Sequence, residues 1–139
     1  LYNSPDLRLI DMREFINTLV DTCRRSFVAL PEIAVRVSDV ELEIDQAVPC
    51  AMIINELFTN TLKHAFPENK KGEIRIKLST INQKKTKLVI SDNGVGLPPT
   101  IDFHDPQTLG LQLVNDLVRQ IDGTIRLDSS SGTAVHITF

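Results

Sequence analysis

Apolar residues recur along this chain with two periods, and the switches between them mark out its elements. Asp11, with Glu14 three positions on, forms a capping signal, and Met12, Phe15, Ile16, Leu19, Val20, Cys23 and Phe27 then repeat at threes and fours. That spacing predicts an amphipathic helix to about Phe27, with Pro31 closing the region. Ile33, Val35 and Val37 alternate, as do Leu42 and Ile44, which predicts two short strands about a polar turn at Ser38-Asp39. The helical period returns from Val48 to Pro67, where Pro49 suits a first turn because its missing N–H costs nothing there. Ile53, Ile54, Leu57, Phe58, Thr61, Leu62 and Ala65 form the broad buried side of this central helix. Beyond Gly72, Ile74, Ile76 and Leu78 face one way, Asn82–Lys85 turns, and Leu88-Val89-Ile90 returns as a buried strand. A last helix opens at Leu109-Gly110 and runs to about Ile121, and a second hairpin over 123–127 and 132–137 ends the chain. Helix, two strands, helix and hairpin is not strict βαβα alternation. The pattern therefore predicts an α+β fold, a two-layer sandwich with a mixed sheet of about five strands, a short N-terminal strand pair and three helices.

Residues 1–10, broken by Asn3, Ser4 and Pro5, read as a linker, and 11–139 as one domain long enough for a real core. With 5% aromatic residues and no Trp, that core must be mostly Leu, Ile and Val. The net charge of −3 argues against a general nucleic-acid surface, which needs a basic excess. Cys23 and Cys50 stand apart from any other Cys or His cluster, so neither zinc nor a disulfide framework is suggested, and a reducing cytoplasm fits. No apolar run reaches the length of a membrane span, and no membrane contact is expected of this domain.

Three places carry candidate chemistry. Along the central helix Glu56, Asn60, Lys63 and His64 stand at i, i+4, i+7 and i+8, within about a quarter of the circumference at 100° per residue. A carboxylate, an amide, an ammonium and an imidazole on one ridge can hold a metal ion and a phosphate chain, although a solvated face has the same pattern. The strand ending at Ile90 runs into Ser91-Asp92-Asn93-Gly94-Val95-Gly96. Asn-Gly after a strand is ordinarily a hairpin signal, yet Pro98 and Pro99 follow in place of a partner strand. Asp92 would sit at the strand's end, able to accept a hydrogen bond from an exocyclic amine, with Gly94 and Gly96 letting backbone approach a flat ring. Gly110, in the first turn of the last helix, leaves N–H groups open to a phosphate, aided by the helix dipole. His104 reads as part of a proline-rich loop and His136 as sheet surface.

Taken in order, NELFTNTLKHAF, DNGVGLP, TLGLQLV and a final GT resemble the N box and three glycine boxes of the GHKL superfamily. This group holds gyrase-type ATPases, Hsp90, histidine kinases and MutL. The chain is most similar to the catalytic ATP-binding domain of sensor histidine kinases, and among them to the HWE kinases and their relatives. The resemblance implies a Bergerat-type fold and transfer of the γ-phosphoryl group of Mg²⁺-bound ATP to a histidine, within two-component signalling. By position it implies that Asn60 is the Mg²⁺ ligand, that Lys63 contacts phosphate and that His64 lies near the nucleotide. Glu56 fills the acidic position, as base, metal helper or acceptor-orienting group. It further implies that Asp92 reads the adenine amine, with Gly94 and Gly96 close to the base. Leu109, Gly110 and Leu111 would cradle phosphate at the end of an ATP lid, and Thr133 would lie on the adenine side.

The lid departs from the commonest kinases: Phe103 is followed by His104-Asp105-Pro106, and Gly110 is a single glycine where many have two. None of the three histidines has the setting of a phosphoacceptor. The expected partners are therefore ATP and ADP, the histidine-bearing dimerisation helices of a longer kinase, and a downstream response regulator. A degenerate, non-catalytic nucleotide module and an anti-sigma-type serine kinase remain as alternatives.

Overall fold

A computed structural model of the protein describes residues 9–26, 31–38, 40–64, 72–82, 84–95, 109–129 and 132–139. Its elements run β1 (Leu9–Asp11), α1 (Met12–Ser26), β2 (Glu32–Val37), β3 (Glu41–Glu43), α2 (Ile44–His64), β4 (Glu73–Asn82), β5 (Lys85–Asp92), α3 (Leu109–Gln120), β6 (Thr124–Asp128) and β7 (Thr133–Thr138). Five strands form a mixed sheet in the order β2-β4-β5-β7-β6, and β1 pairs with β3 in a separate two-stranded sheet. Only β2 and β4 run parallel; the remaining neighbours are antiparallel. Three helices, a mixed five-stranded sheet and a small strand pair are the α+β sandwich that the hydrophobic pattern predicts.

The layers follow from alternation. Ile74, Ile76 and Leu78 on β4 stand opposite Asp92, Ile90 and Leu88 on β5, and Ile90 and Leu88 stand opposite Val135 and Ile137 on β7. These apolar rungs meet Ile53, Ile54, Leu57 and Phe58 of α2 and Val114, Leu117 and Val118 of α3 in one core. Burying an Ile or Phe fully contributes roughly 1.5–3 kcal/mol relative to leaving it exposed, so this layer dominates the stability. Helix α1 opens as its capping signal predicts: Asp11 Oδ1 accepts from the N–H groups of Arg13 at 3.0 Å and Glu14 at 3.4 Å.

Three sequence expectations are refined. The two short strands both exist, but β2 joins the main sheet whereas β3 pairs with β1. That places Leu9 and Ile10, read as linker, in a strand, while residues 1–8 lie outside the described residues. Helix α2 begins at Ile44, so Ile44 is helical and Pro49 sits inside the helix rather than in its first turn. Pro49 cannot donate to the carbonyl of Asp45, and buried Ala47 and Cys50 on either side hold this stretch in place. Among the described residues no helix is long and apolar enough to cross a membrane.

Candidate active site

Helix α2 sets out the first half of the site. Glu56 and Asn60 are half-buried and Lys63 is exposed. The hydroxyls of Thr59 and Thr61 turn back onto the carbonyls of Asn55 and Leu57 at 2.8 and 2.9 Å, so they are absorbed by the helix itself. The start of α3 comes down on this ridge. A Cβ placed on Gly110 would lie 2.9 Å from Glu56 Oε2 and 3.7 Å from Asn60 Nδ2. Absence of a side chain at Gly110 thus lets the electropositive end of α3 approach the carboxylate and amide of α2 directly. Leu111 is buried in the core, which confines its part in any site to its backbone.

The second half lies at the end of β5. Asp92 shares a rung with Ile74 and Thr133, on the side of the sheet that carries the helices, and is with Thr86 one of two buried polar residues among the described residues. Burial pushes its carboxyl above the usual range, while hydrogen bonds from the Gly94 and Thr133 backbones pull the other way. The Gly94 N–H donates to Asp92 Oδ1 at 2.9 Å. A carboxylate held this far from water gains from any further donor brought to it.

Two supports of Asp92 are not evident in the sequence reading. Asn93 Oδ1 accepts from the Glu73 N–H at 2.8 Å, and the Asn93 N–H donates to the Glu73 carbonyl at 3.2 Å, so the turn is fastened to the start of β4. The cue available in the sequence is the Asn of Asp-Asn-Gly, which reads first as a turn former. Gly132 has φ of +79°, and a Cβ there would fall 2.1 Å from the Asp92 carbonyl oxygen. It brings the β7 turn against Asp92 more closely than any side chain allows.

The structure therefore brings Glu56, Asn60 and Gly110 together, and separately Asp92, Gly94 and Thr133. Gly96 lies outside the described residues, as does the expected lid over 98–108 with Phe103 and His104; the side chains of His64 and Leu109 are also not described. Among the described residues no group of three or more His, Cys, Asp or Glu side chains could hold a metal ion. Glu56 and Asn60 carry carboxylate and amide oxygens, donors of the kind that suit a hard cation. Cys23 and Cys50 are buried free thiols, and burial pushes the Cys50 thiol up to about 12.

Three helices on one face of this mixed sheet, with paired polar groups at its helix-covered end, define a histidine kinase catalytic-domain fold. The chain belongs to the family of histidine kinase-, DNA gyrase B- and HSP90-like ATPases, matched over residues 45–139. It is 24% identical over 107 residues to blue-light-activated histidine kinase 2 of Erythrobacter litoralis, covering 76% of this chain and 31% of that protein. To the sensor histidine kinase PdtaS of Mycobacterium tuberculosis it is 34% identical over 86 residues, covering 60% of this chain and 17% of that one. The solved histidine kinase domain of an Erythrobacter litoralis blue-light-activated kinase superposes with a TM-score of 0.82 at 21% identity, over 90% of this chain and 58% of that one. The chain thus spans less than a third of each of these two curated relatives.

Proposed function

We propose that this domain binds Mg²⁺-ATP and presents the γ-phosphate to a histidine on a dimerisation domain outside residues 1–139. The observation that carries the reading is Gly110 seated on Glu56 and Asn60, which joins a helix N-terminus to a carboxylate and an amide in one place. Asp92 accepts from the adenine amine, with Gly94, Gly96 and Thr133 beside the base. Asn60 supplies an amide oxygen to Mg²⁺, and Lys63 and the α3 backbone at Leu109, Gly110 and Leu111 face the phosphates, with His64 near the nucleotide. When bound, Mg²⁺ offsets the charge on the phosphate oxygens. Lys63 adds an ammonium to the same end, and Glu56 serves as base, metal helper or acceptor-orienting group. Phosphoryl transfer rests mostly on such positioning and electrostatics. A response regulator would then receive the phosphoryl group.

The Asp92 assignment has its own expected result. ATP should bind more tightly than GTP, whose ring carbonyl would confront a carboxylate with a second acceptor. Leaving a buried acceptor unpaired costs about 1–3 kcal/mol, so selectivity should be roughly five- to 150-fold by calorimetry. Equal affinities would remove Asp92 from adenine recognition.

Incubated with γ-labelled ATP, residues 1–139 alone should bind nucleotide without becoming labelled. Adding histidine-bearing dimerisation helices, fused upstream or supplied separately, should give label on a histidine of those helices, acid-labile and base-stable as a phosphoramidate is. Acid-stable label on a serine of a partner protein would instead support the anti-sigma-type kinase. ATP binding with no label under any condition would support a non-catalytic module.

A further inference from the structure

The face of the main sheet turned away from the helices has a charge pattern that nucleotide binding does not use. Strand register places Arg36 of β2 opposite Lys77 of β4, Lys77 opposite Val89 of β5, Val89 opposite His136 of β7, and His136 opposite Arg126 of β6. A single rung therefore crosses all five strands with no acid in it. Lys87 stands on the same face one rung away, opposite Thr138. Like charges on neighbouring strands cost stability rather than add it, so Arg36 beside Lys77 is not explained by the fold. The acids of this face lie in other rungs: Glu32 stands opposite Glu73, which is engaged in an ion pair with Arg75, and Asp128 stands opposite Ala134.

Two further features fit a docking surface. Arg36 and Lys77 border two shallow hollows, of about 310 and 400 Å³, one reaching Glu73 and Arg75 and the other Ser38 and Ser79. On β7, the fourth strand of the rung, His136 Nδ1 is buried without a hydrogen-bond partner. Burial, Arg126 and Lys87 all lower the pKa of His136, against Asp128, which raises it. An incoming carboxylate would relieve that cationic crowding.

We propose that this rung, Arg36–Lys77–Val89–His136–Arg126, is a docking surface for an acidic, carboxylate-bearing stretch of a protein partner. Charge complementarity selects the partner: the chain as a whole is at −3, yet this row is purely basic or neutral. A single-stranded nucleic acid would want aromatic stacking platforms, of which the rung has none but the imidazole, and a duplex would want a basic excess that a chain at −3 lacks. An anionic membrane would want exposed apolar side chains to insert, and Val89 is half-buried between charged strands. The surface is independent of the nucleotide reading, because Asp92 and the α2 ridge belong to the other face.

A synthetic oligoglutamate peptide titrated into the isotopically labelled chain should shift amide resonances at Arg36, Lys77, His136 and Arg126, and the binding should weaken with salt. Arg36→Glu with Lys77→Glu should weaken it about tenfold or more, since two attractive pairs become repulsive. Arg24→Glu with Arg25→Glu, on α1, should leave it unchanged. Arg36→Gln with Lys77→Gln provides a milder pair whose circular dichroism should match the parent and whose loss should be smaller but in the same direction. Shifts confined to other surfaces, equal loss from the α1 pair, or tighter binding to anionic phospholipid vesicles or an oligonucleotide than to oligoglutamate would overturn the proposal.

Discussion

Gly132→Ala is expected to cost on the order of 3–5 kcal/mol in chemical denaturation, among the larger effects a single methyl group can have. Two terms combine. The φ of +79° lies where an L side chain is strained, and the added carbon would fall 2.1 Å from a backbone oxygen that cannot swing aside. Relief requires the β7 turn to withdraw from Asp92, which also removes a backbone donor from that carboxylate. Surviving folded protein should therefore bind ATP more weakly than the parent. A loss below about 1 kcal/mol would mean that the turn can move freely, and that its closeness to Asp92 is not a fixed part of the site. At Gly110 the same substitution meets only the tip of the flexible Glu56 side chain, so the two glycines differ in kind.

The second large effect concerns Asn60. On the proposed function, Asn60→Ala should lower phosphotransfer to added histidine-bearing dimerisation helices on the order of 100-fold while leaving the melting curve close to the parent's. The residue is half-buried on the polar ridge, not part of the core. Chelating Mg²⁺ distinguishes a metal ligand from a general polar contact: it should weaken ATP binding by the parent and have little effect on the variant. If chelation affects both equally, or the variant transfers phosphate like the parent, Asn60 does not hold the metal.

Elements were legible in the sequence wherever one physical pattern acted alone. The strict alternation of Ile74, Ile76 and Leu78, and the threes and fours of α1, gave strand, helix and facing directly. Legibility failed where a local signal competed with packing. Pro49 marks a helix start in isolation, yet buried Ala47 and Cys50 carry α2 back to Ile44. The two short strands looked like neighbours because they are adjacent in sequence. Which strand each one joins depends on partners some forty residues downstream or at the chain's opening, and periodicity does not encode pairing. The candidate site was legible only as residue types at helical spacing and at a strand's end. Its supports were not: Asn93 reaching the start of β4, and Gly132 lying under Asp92, are long-range contacts made by residues that locally announce only a turn.

The strand order of the main sheet also sets which strands are held on both sides and which on one. The hairpins β4–β5 and β6–β7 close over short stretches of chain, and β5–β7 joins them, so four of the five strands can assemble as an antiparallel unit. Strand β2 meets β4 across α2, and the separation of Glu32 from Glu73 equals that of Asp92 from Thr133, so β2–β4 and β5–β7 both close a long loop before any rung forms. As an edge strand β2 is held on one side alone. Its amides, like those of β6 at the other edge, should exchange with solvent ahead of those of β5, the strand with neighbours on both sides at the centre of the sheet.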